Sequence, residues 1–384
     1  MTTWAEILPL IFLAVMGLAL LAYVVLDGYD LGVGLLLPLA DDAQKDTMIA
    51  SIGPFWDANE TWLVLGVGVL LVAFPFAHGL VLQALYLPVA LMLIGLILRG
   101  VAFDFRVKAP PVWKPFWNRA FFGGSLLAST AQGWMLGSYI TGFDNGPLGL
   151  GFSLGIALTL PAAYVLLGAG WLIMKTGGVL QERAVHWARR VLWPMGAALV
   201  AISAATPLVN PAVVDKWFGV PEVFARMPIP LSCALAFFAV RWVVTHPGAV
   251  KAGHGWVVFA ATVLIFVLAF FGLAYSIFPD IVIGRMTVWE AAIGTGSLTV
   301  SVSISGAPAT SFTVNGVPAP TGSTDFCSDI ESDESFQSIG ASGGGTLTLN
   351  SCSFSGNVGT VSATLAITTP VALTVPHTVT YTYN

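Results

Sequence analysis

Long apolar runs dictate what this chain can fold into. Eight stretches, near residues 7–27, 56–76, 79–103, 120–141, 149–174, 188–208, 228–246 and 255–278, are almost free of charge in their interiors. A helix needs ~20 apolar residues to cross the hydrocarbon core of a bilayer. The chain is 56% hydrophobic and only 9% charged, whereas a soluble domain carries about 25% charged residues. Lipid is therefore the solvent of most of it. Span 1 could extend to Leu39, because Gly28, Gly32 and Gly34 interrupt the pattern without a charge run. Gly28 and Gly32 form a small-xxx-small pair suited to close helix approach. Pro75 predicts a tight hairpin between spans 2 and 3, and Pro88 a kink.

The charges are unevenly placed. All 15 Lys and Arg lie at or before Arg285, and beyond it Ser, Thr and Gly dominate. That shift divides the chain into a membrane part, 1–293, and a polar tail, 294–384. Basic residues in short loops set orientation. Arg106, Lys108, Lys114 and Arg119 follow span 3, Lys175, Arg183, Arg189 and Arg190 follow span 5, and Arg241 and Lys251 follow span 7. With those loops cytoplasmic, the N-terminus and the tail are expected outside, and the loop carrying Asp41, Asp42, Lys45 and Asp46 inside. The first residues have no basic region or cleavage site, so a removable signal peptide is not expected. Basic residues are too few and too scattered for nucleic-acid binding.

Within this apolar background, acids are informative. Asp27 and Asp30 close the first run, and Asp57 and Glu60 open the second. Each pair is spaced i, i+3 and so shares a helix face. Arg99 ends a long apolar run and Asp104 follows it in span 3. Ionisable groups in or beside a span are costly and often serve ion or proton movement. If spans 1 to 3 bundle, Asp27, Asp30, Asp57, Glu60 and Asp104 converge on one level as a proton inlet. Plainer readings exist: the acids cap helices, Arg99 snorkels to the interface, and Asp104 pairs with Lys108 at i+4.

Other chemistry is sparse. There is no phosphate-binding Gly-rich loop and no paired His or CxxC, so no catalytic residue, metal site or cofactor site is expected on this chain alone. Of the histidines near the apolar runs, His78 falls in the 2–3 hairpin and His186, His246 and His254 fall in loops. Cys233 reads as a small hydrophobe. Cys327 and Cys352 are a candidate disulfide in an oxidising compartment. The tail alternates polar and apolar residues over 297–304, 359–367 and 373–383, with an Asn315-Gly316 hairpin signal, which predicts a small antiparallel β-sandwich. Its acidic run, Asp329, Glu331, Asp333 and Glu334, fits no calcium loop.

Three motifs carry a resemblance. They are Leu26-Asp27-Gly28-Tyr29-Asp30-Leu31-Gly32-Val33-Gly34, Gly53-Pro54-Phe55-Trp56-Asp57-Ala58-Asn59-Glu60-Thr61-Trp62, and Arg99-Gly100-Val101-Ala102-Phe103-Asp104-Phe105-Arg106. In this order and spacing they resemble subunit II of the cytochrome bd-type quinol oxidases, nearest the cyanide-insensitive branch, over residues 1–293. The resemblance implies two four-helix bundles plus a ninth helix, beside a similar subunit I that holds haem b, haem d and the quinol site. It implies a bacterial inner-membrane complex that oxidises quinol and reduces oxygen to water. It places Asp57 at the entrance of a cytoplasmic proton path, with Asp104 further along, and allows a structural quinone in this subunit. In this chain the ninth helix is missing and the tail takes its place.

The expected fold class is thus an all-α polytopic membrane protein with eight transmembrane helices, followed by a small all-β polar domain. That domain is either an extracytoplasmic module or foreign to the family, joined from another reading frame. Haem-bearing subunit I, membrane lipid and quinone are the expected partners. The competing class is a transporter or channel whose helix-end carboxylates bind cations.

Overall fold

The computed structural model describes residues 4–209, 216–217 and 226–292, and the backbone of five strands between Gly296 and Tyr383. Residues 7–291 form one compact unit, and residues 1–6 with 292–384 form another.

Each apolar run forms a long helix. These are α1 (Trp4–Leu36), α3 (Trp56–Ala73), α4 (Pro75–Lys108), α5 (Lys114–Ile140), α6 (Pro147–Lys175), α7 (Gly178–Val209), α8 (Pro228–Thr245) and α9 (Trp256–Ile277), with a shorter α2 (Asp42–Ile52) after α1. Seven helices among the described residues are long and apolar enough to cross a membrane. The chain is a polytopic helical membrane protein. Helix α5 falls outside the seven; it carries Lys114, Asn118 and Arg119 in its first turns and Ser125, Ser129 and Gln132 beyond. Only Phe74 separates the end of α3 from Pro75 at the start of α4, so the hairpin is as tight as its sequence predicts.

Several boundaries differ from expectation. Helix α1 passes Asp27 and runs on to Leu36, taking the longer of the two extents its sequence allowed, because its glycines are tolerated where a second helix presses against them. Helix α7 begins at Gly178, so Arg183, His186, Arg189 and Arg190 are helical and not in a loop. The segment expected as a loop after span 1 is α2, which buries Met48, Ile49 and Ile52 on one side. Its polar side is tied to three neighbours: Asp41 to Arg183 at 3.0 Å, and Asp46 to Arg106 at 2.8 Å and Lys114 at 3.4 Å.

Close helix crossings position the rest. A Cβ on Gly32 would lie 1.8 Å from the carbonyl oxygen of Tyr164, and one on Gly168 would lie 2.5 Å from the Gly32 backbone. Helix α1 therefore rides directly on α6, as the small-xxx-small spacing anticipates. Gly95 and Gly124 do the same for α4 and α5, each lacking room for a side chain within 2.8 Å of the other's carbonyl. Helix α6 is the hub, packed against α5, α7 and α9, with Leu166, Leu167 and Leu172 wholly buried.

In the second unit the five strands are β3 (Gly296–Ile304), β4 (Thr310–Val317), β5 (Gly345–Ser355), β6 (Val358–Ile367) and β7 (Leu373–Tyr383); β1 (Asp280–Val282) and β2 (Met286–Thr287) belong to the helical unit. They form one antiparallel sheet in the order β4-β3-β7-β6-β5. The described strands make one layer, not two as in a sandwich. Asn315 lies inside β4, opposite Ser297 at a register shift, so its signal marks an irregularity in pairing and not a two-residue turn. Cys327, and with it the candidate bridge to Cys352, lies outside the described residues, as does the acidic run 329–334. Cys233 is a free, half-buried thiol on α8.

Candidate functional site

Asp27 and Asp30 are three residues apart on α1, and both are buried, at 1% and 0% exposure. Each lies inside the helix: Asp27 is nine residues before Leu36, about 14 Å along the axis. Arg99 lies at an equal spacing before the end of α4, at Lys108, and is 1% exposed. The two meet. Arg99 Nη2 donates to Asp27 Oδ1 at 2.5 Å and to Glu60 Oε1 on α3 at 2.6 Å. Snorkelling is thereby overturned for Arg99, whose charge is held inside the bundle by two carboxylates from two other helices.

Asn59, beside Glu60 on α3, organises the second half. Its Nδ2 donates to Asp30 Oδ2 at 2.8 Å and to Tyr29 Oη at 2.9 Å, and lies 3.3 Å from the Leu26 carbonyl. The Tyr29 ring stacks on Trp171 of α6 with centroids 4.2 Å apart, fixing where its hydroxyl points. Among the buried polar atoms, Asp27 Oδ2, Asp30 Oδ1, Arg99 Nε and Nη1 and Trp171 Nε1 have no protein partner. A buried polar atom without a partner is costly. Donors and acceptors left over together mark a polar pocket suited to water.

The five acids read as a proton inlet, and Arg99 with them, therefore separate. Asp27, Asp30, Glu60 and Arg99 come together, while Asp57 and Asp104 are exposed on this chain. For Asp104 the reason is angular. Five residues beyond Arg99 is about 140° around the helix, and Phe103 and Arg106 take the inward positions instead. No ion pair between Asp104 and Lys108 is found among the described residues. Asp57 occupies the first turn of α3, where an acid complements the helix dipole. It lies one turn from Glu60, whose side chain is 30% exposed against 1% for Asp27. Along α3 and into the bundle, carboxylates thus pass from open to half-open to buried. The one-level convergence of all five acids is corrected to a graded arrangement.

Sequence reasoning missed Asn59, Tyr29 and a neighbouring set, Tyr23, Gln132 and Tyr164. An uncharged amide in the middle of an apolar run was the signal available for Gln132. The acids were also placed at helix ends, which the continuation of α1 to Leu36 corrects.

The sequence matches Cytochrome bd terminal oxidase subunit II over residues 8–309. The chain belongs to that family. The match runs past residue 293, into the polar tail. Among similar proteins, Cytochrome bd ubiquinol oxidase subunit 2 of Bacillus subtilis (strain 168) is 30% identical over 197 residues, 47% of this chain and 57% of that one. Cytochrome bd-I ubiquinol oxidase subunit 2 of Escherichia coli (strain K12) is 33% identical over 140 residues, 36% of this chain and 37% of that one. The chain thus spans less than two thirds of the length of these relatives. The fold is also that of the bd oxidase from Geobacillus thermodenitrificans, with a TM-score of 0.62 at 16% identity, covering 73% of this chain and 88% of that one. With this family membership, the cation transporter or channel is not favoured.

Proposed function

We propose that this subunit II family member is the non-haem membrane subunit of a bd-type quinol oxidase. Beside a haem-bearing subunit I it supports quinol oxidation and reduction of oxygen to water. Haem b, haem d and the quinol site belong to subunit I. The observation that carries the reading is the buried Asp27–Arg99–Glu60 cluster, built from the three motifs that define the resemblance. Two carboxylates, Asp27 and Glu60, share one guanidinium inside the bundle, with Asp30 buried beside Asp27 on the same helix. Such a cluster can hold and pass a proton.

In this reading Asp57 collects protons at the cytoplasmic surface, Glu60 passes them inward, and Asp27 and Asp30 receive them beside Arg99. Asp104, facing away from the cluster, takes its place further along the path. The helices cross the bacterial inner membrane eight times, with α5 as the eighth span and the N-terminus and tail periplasmic. The membrane domain ends near 293, and residues 294–384 form a separate β-rich domain. A structural quinone in this subunit is compatible with the bundle, and no residue is assigned to it.

Expression beside subunit I tests the proposal. The two chains co-purify with both haems and show quinol-dependent oxygen uptake. In that complex Asp57→Asn slows uptake and leaves haem content intact. Unchanged turnover of Asp57→Asn across pH would remove Asp57 from the path, and failure to co-purify would remove the function.

A further inference from the structure

Beyond the charged groups, a neutral polar chain crosses the bundle one turn deeper. Tyr164 Oη on α6 donates to Gln132 Oε1 on α5 at 2.6 Å, and Gln132 Nε2 donates to Tyr23 Oη on α1 at 2.8 Å. All three are buried, with Tyr164 at 1%, Tyr23 at 3% and Gln132 at 8% exposure. Three helices spend polar groups here, amid Leu31, Leu35, Met92 and Leu96, where an apolar filling would pack without any hydrogen-bond requirement.

The direction of the chain is the informative part. A phenol has one proton, and an amide has one accepting and one donating end. Since Tyr23 Oη accepts from Gln132, its own proton is available to another group. Asp27 stands four residues on, on the same face of α1, and its Oδ2 is buried without a partner. Turned end for end, the amide would accept from Tyr23 and donate to Tyr164, and the chain would point away from Asp27. A charged Asp27 favours the first orientation, and a protonated Asp27 releases it.

We propose that Gln132, with Tyr23 and Tyr164, is a positioning relay that holds the Tyr23 hydroxyl proton towards Asp27 while that carboxylate is charged and reverses when Asp27 takes up a proton. No covalent bond other than O–H is involved, and each hydroxyl proton stays on its own oxygen. The groups around Asp27 are Asp30, Tyr23 and Tyr29 on its own helix, Glu60 from α3, Arg99 from α4 and Tyr164 from α6. The relay deepens the proton-inlet reading and rests on it.

The test uses the complex assembled with subunit I, checked for haem content, and two readouts. One is the pH dependence of quinol-driven oxygen uptake; the other is the infrared carbonyl band of protonated Asp27, identified by its loss in Asp27→Asn. A hydrogen bond to a charged group is worth enough to move a titration by about one pH unit. Tyr23→Phe and Gln132→Leu are each expected to move the acid limb of the profile, and the onset of the band, by that amount towards higher pH. The double variant moves it no further. Gln132→Glu, whose neutral carboxyl keeps one acceptor and one donor, restores the original position. If Asp27→Asn leaves uptake unchanged at every pH, the inlet reading fails, and the infrared band alone then decides the relay. A band that stays in place in Tyr23→Phe, or shifts that add in the double variant, overturns the relay.

Discussion

Arg99 is the residue on which the site turns. Among the described residues its guanidinium is the one positive charge paired with Asp27 and Glu60, at 2.5 and 2.6 Å. Breaking a buried ion pair from one side leaves the other charge stranded, at a cost of about 3–5 kcal/mol. Arg99→Leu is therefore expected to lower the thermal midpoint of the detergent-solubilised complex sharply, and Asp27→Asn in the same chain to recover part of the loss. Equal midpoints for Arg99→Leu and wild type would contradict the ion-pair assignment. Asn59 acts differently, because its amide satisfies Asp30 and Tyr29 together. Asn59→Leu leaves Asp30 with no side-chain donor among the described residues, an expected loss of about 1–3 kcal/mol measurable in the same assay.

At the scale of elements, helix proximity decides which side chains can meet. The α1–α6 crossing at Gly32 and Gly168 has no room for a methyl group, and it sets the face of α1 that carries Asp27 and Asp30. Gly32→Leu is expected to push the helices apart at a cost of about 1–3 kcal/mol or more, seen as reduced yield of folded complex, whereas Gly68→Ala, where nothing lies near, is expected to be silent. Helix α2 is held by charge. Burial works against ionised Asp46, but the hydrogen bond and charge of Arg106, with Lys114, prevail and hold its carboxyl below the ordinary carboxylate value. A lowered native value stabilises above the unfolded one, about 3.9, and the contribution is lost as pH falls through the native value. The protection of α2 amides, corrected for intrinsic exchange, is expected to fall below about pH 4, and Asp46→Asn to weaken that dependence. The effect is small, since the Asp46 side chain is 53% exposed.

For the whole molecule, the unit 7–291 contains every residue of the cluster and of the polar relay. The sheet of β3 to β7 supplies none of them. A chain ending at residue 291 is therefore expected to co-purify with subunit I and to retain quinol-dependent oxygen uptake. Loss of assembly on that truncation would assign the tail a part in the complex that its strands do not reveal.

The sequence by itself determined that the chain is a polytopic helical membrane protein, and it located the strands near 297–304, 359–367 and 373–383 and the acids worth examining. Apolar length and polar alternation are local properties, legible one segment at a time. Asp27, Asp30, Glu60 and Arg99 were legible as well, because a charge in an apolar run has few innocent explanations. What only the tertiary structure decided is which of them face one another. Asp104 turned away by helix angle, Asp57 stayed at the surface, and Asn59, Tyr23, Gln132 and Tyr164 gained their roles from neighbours on other helices. A neutral amide or phenol costs little enough in isolation to pass unnoticed, and its function begins only when packing brings it a partner.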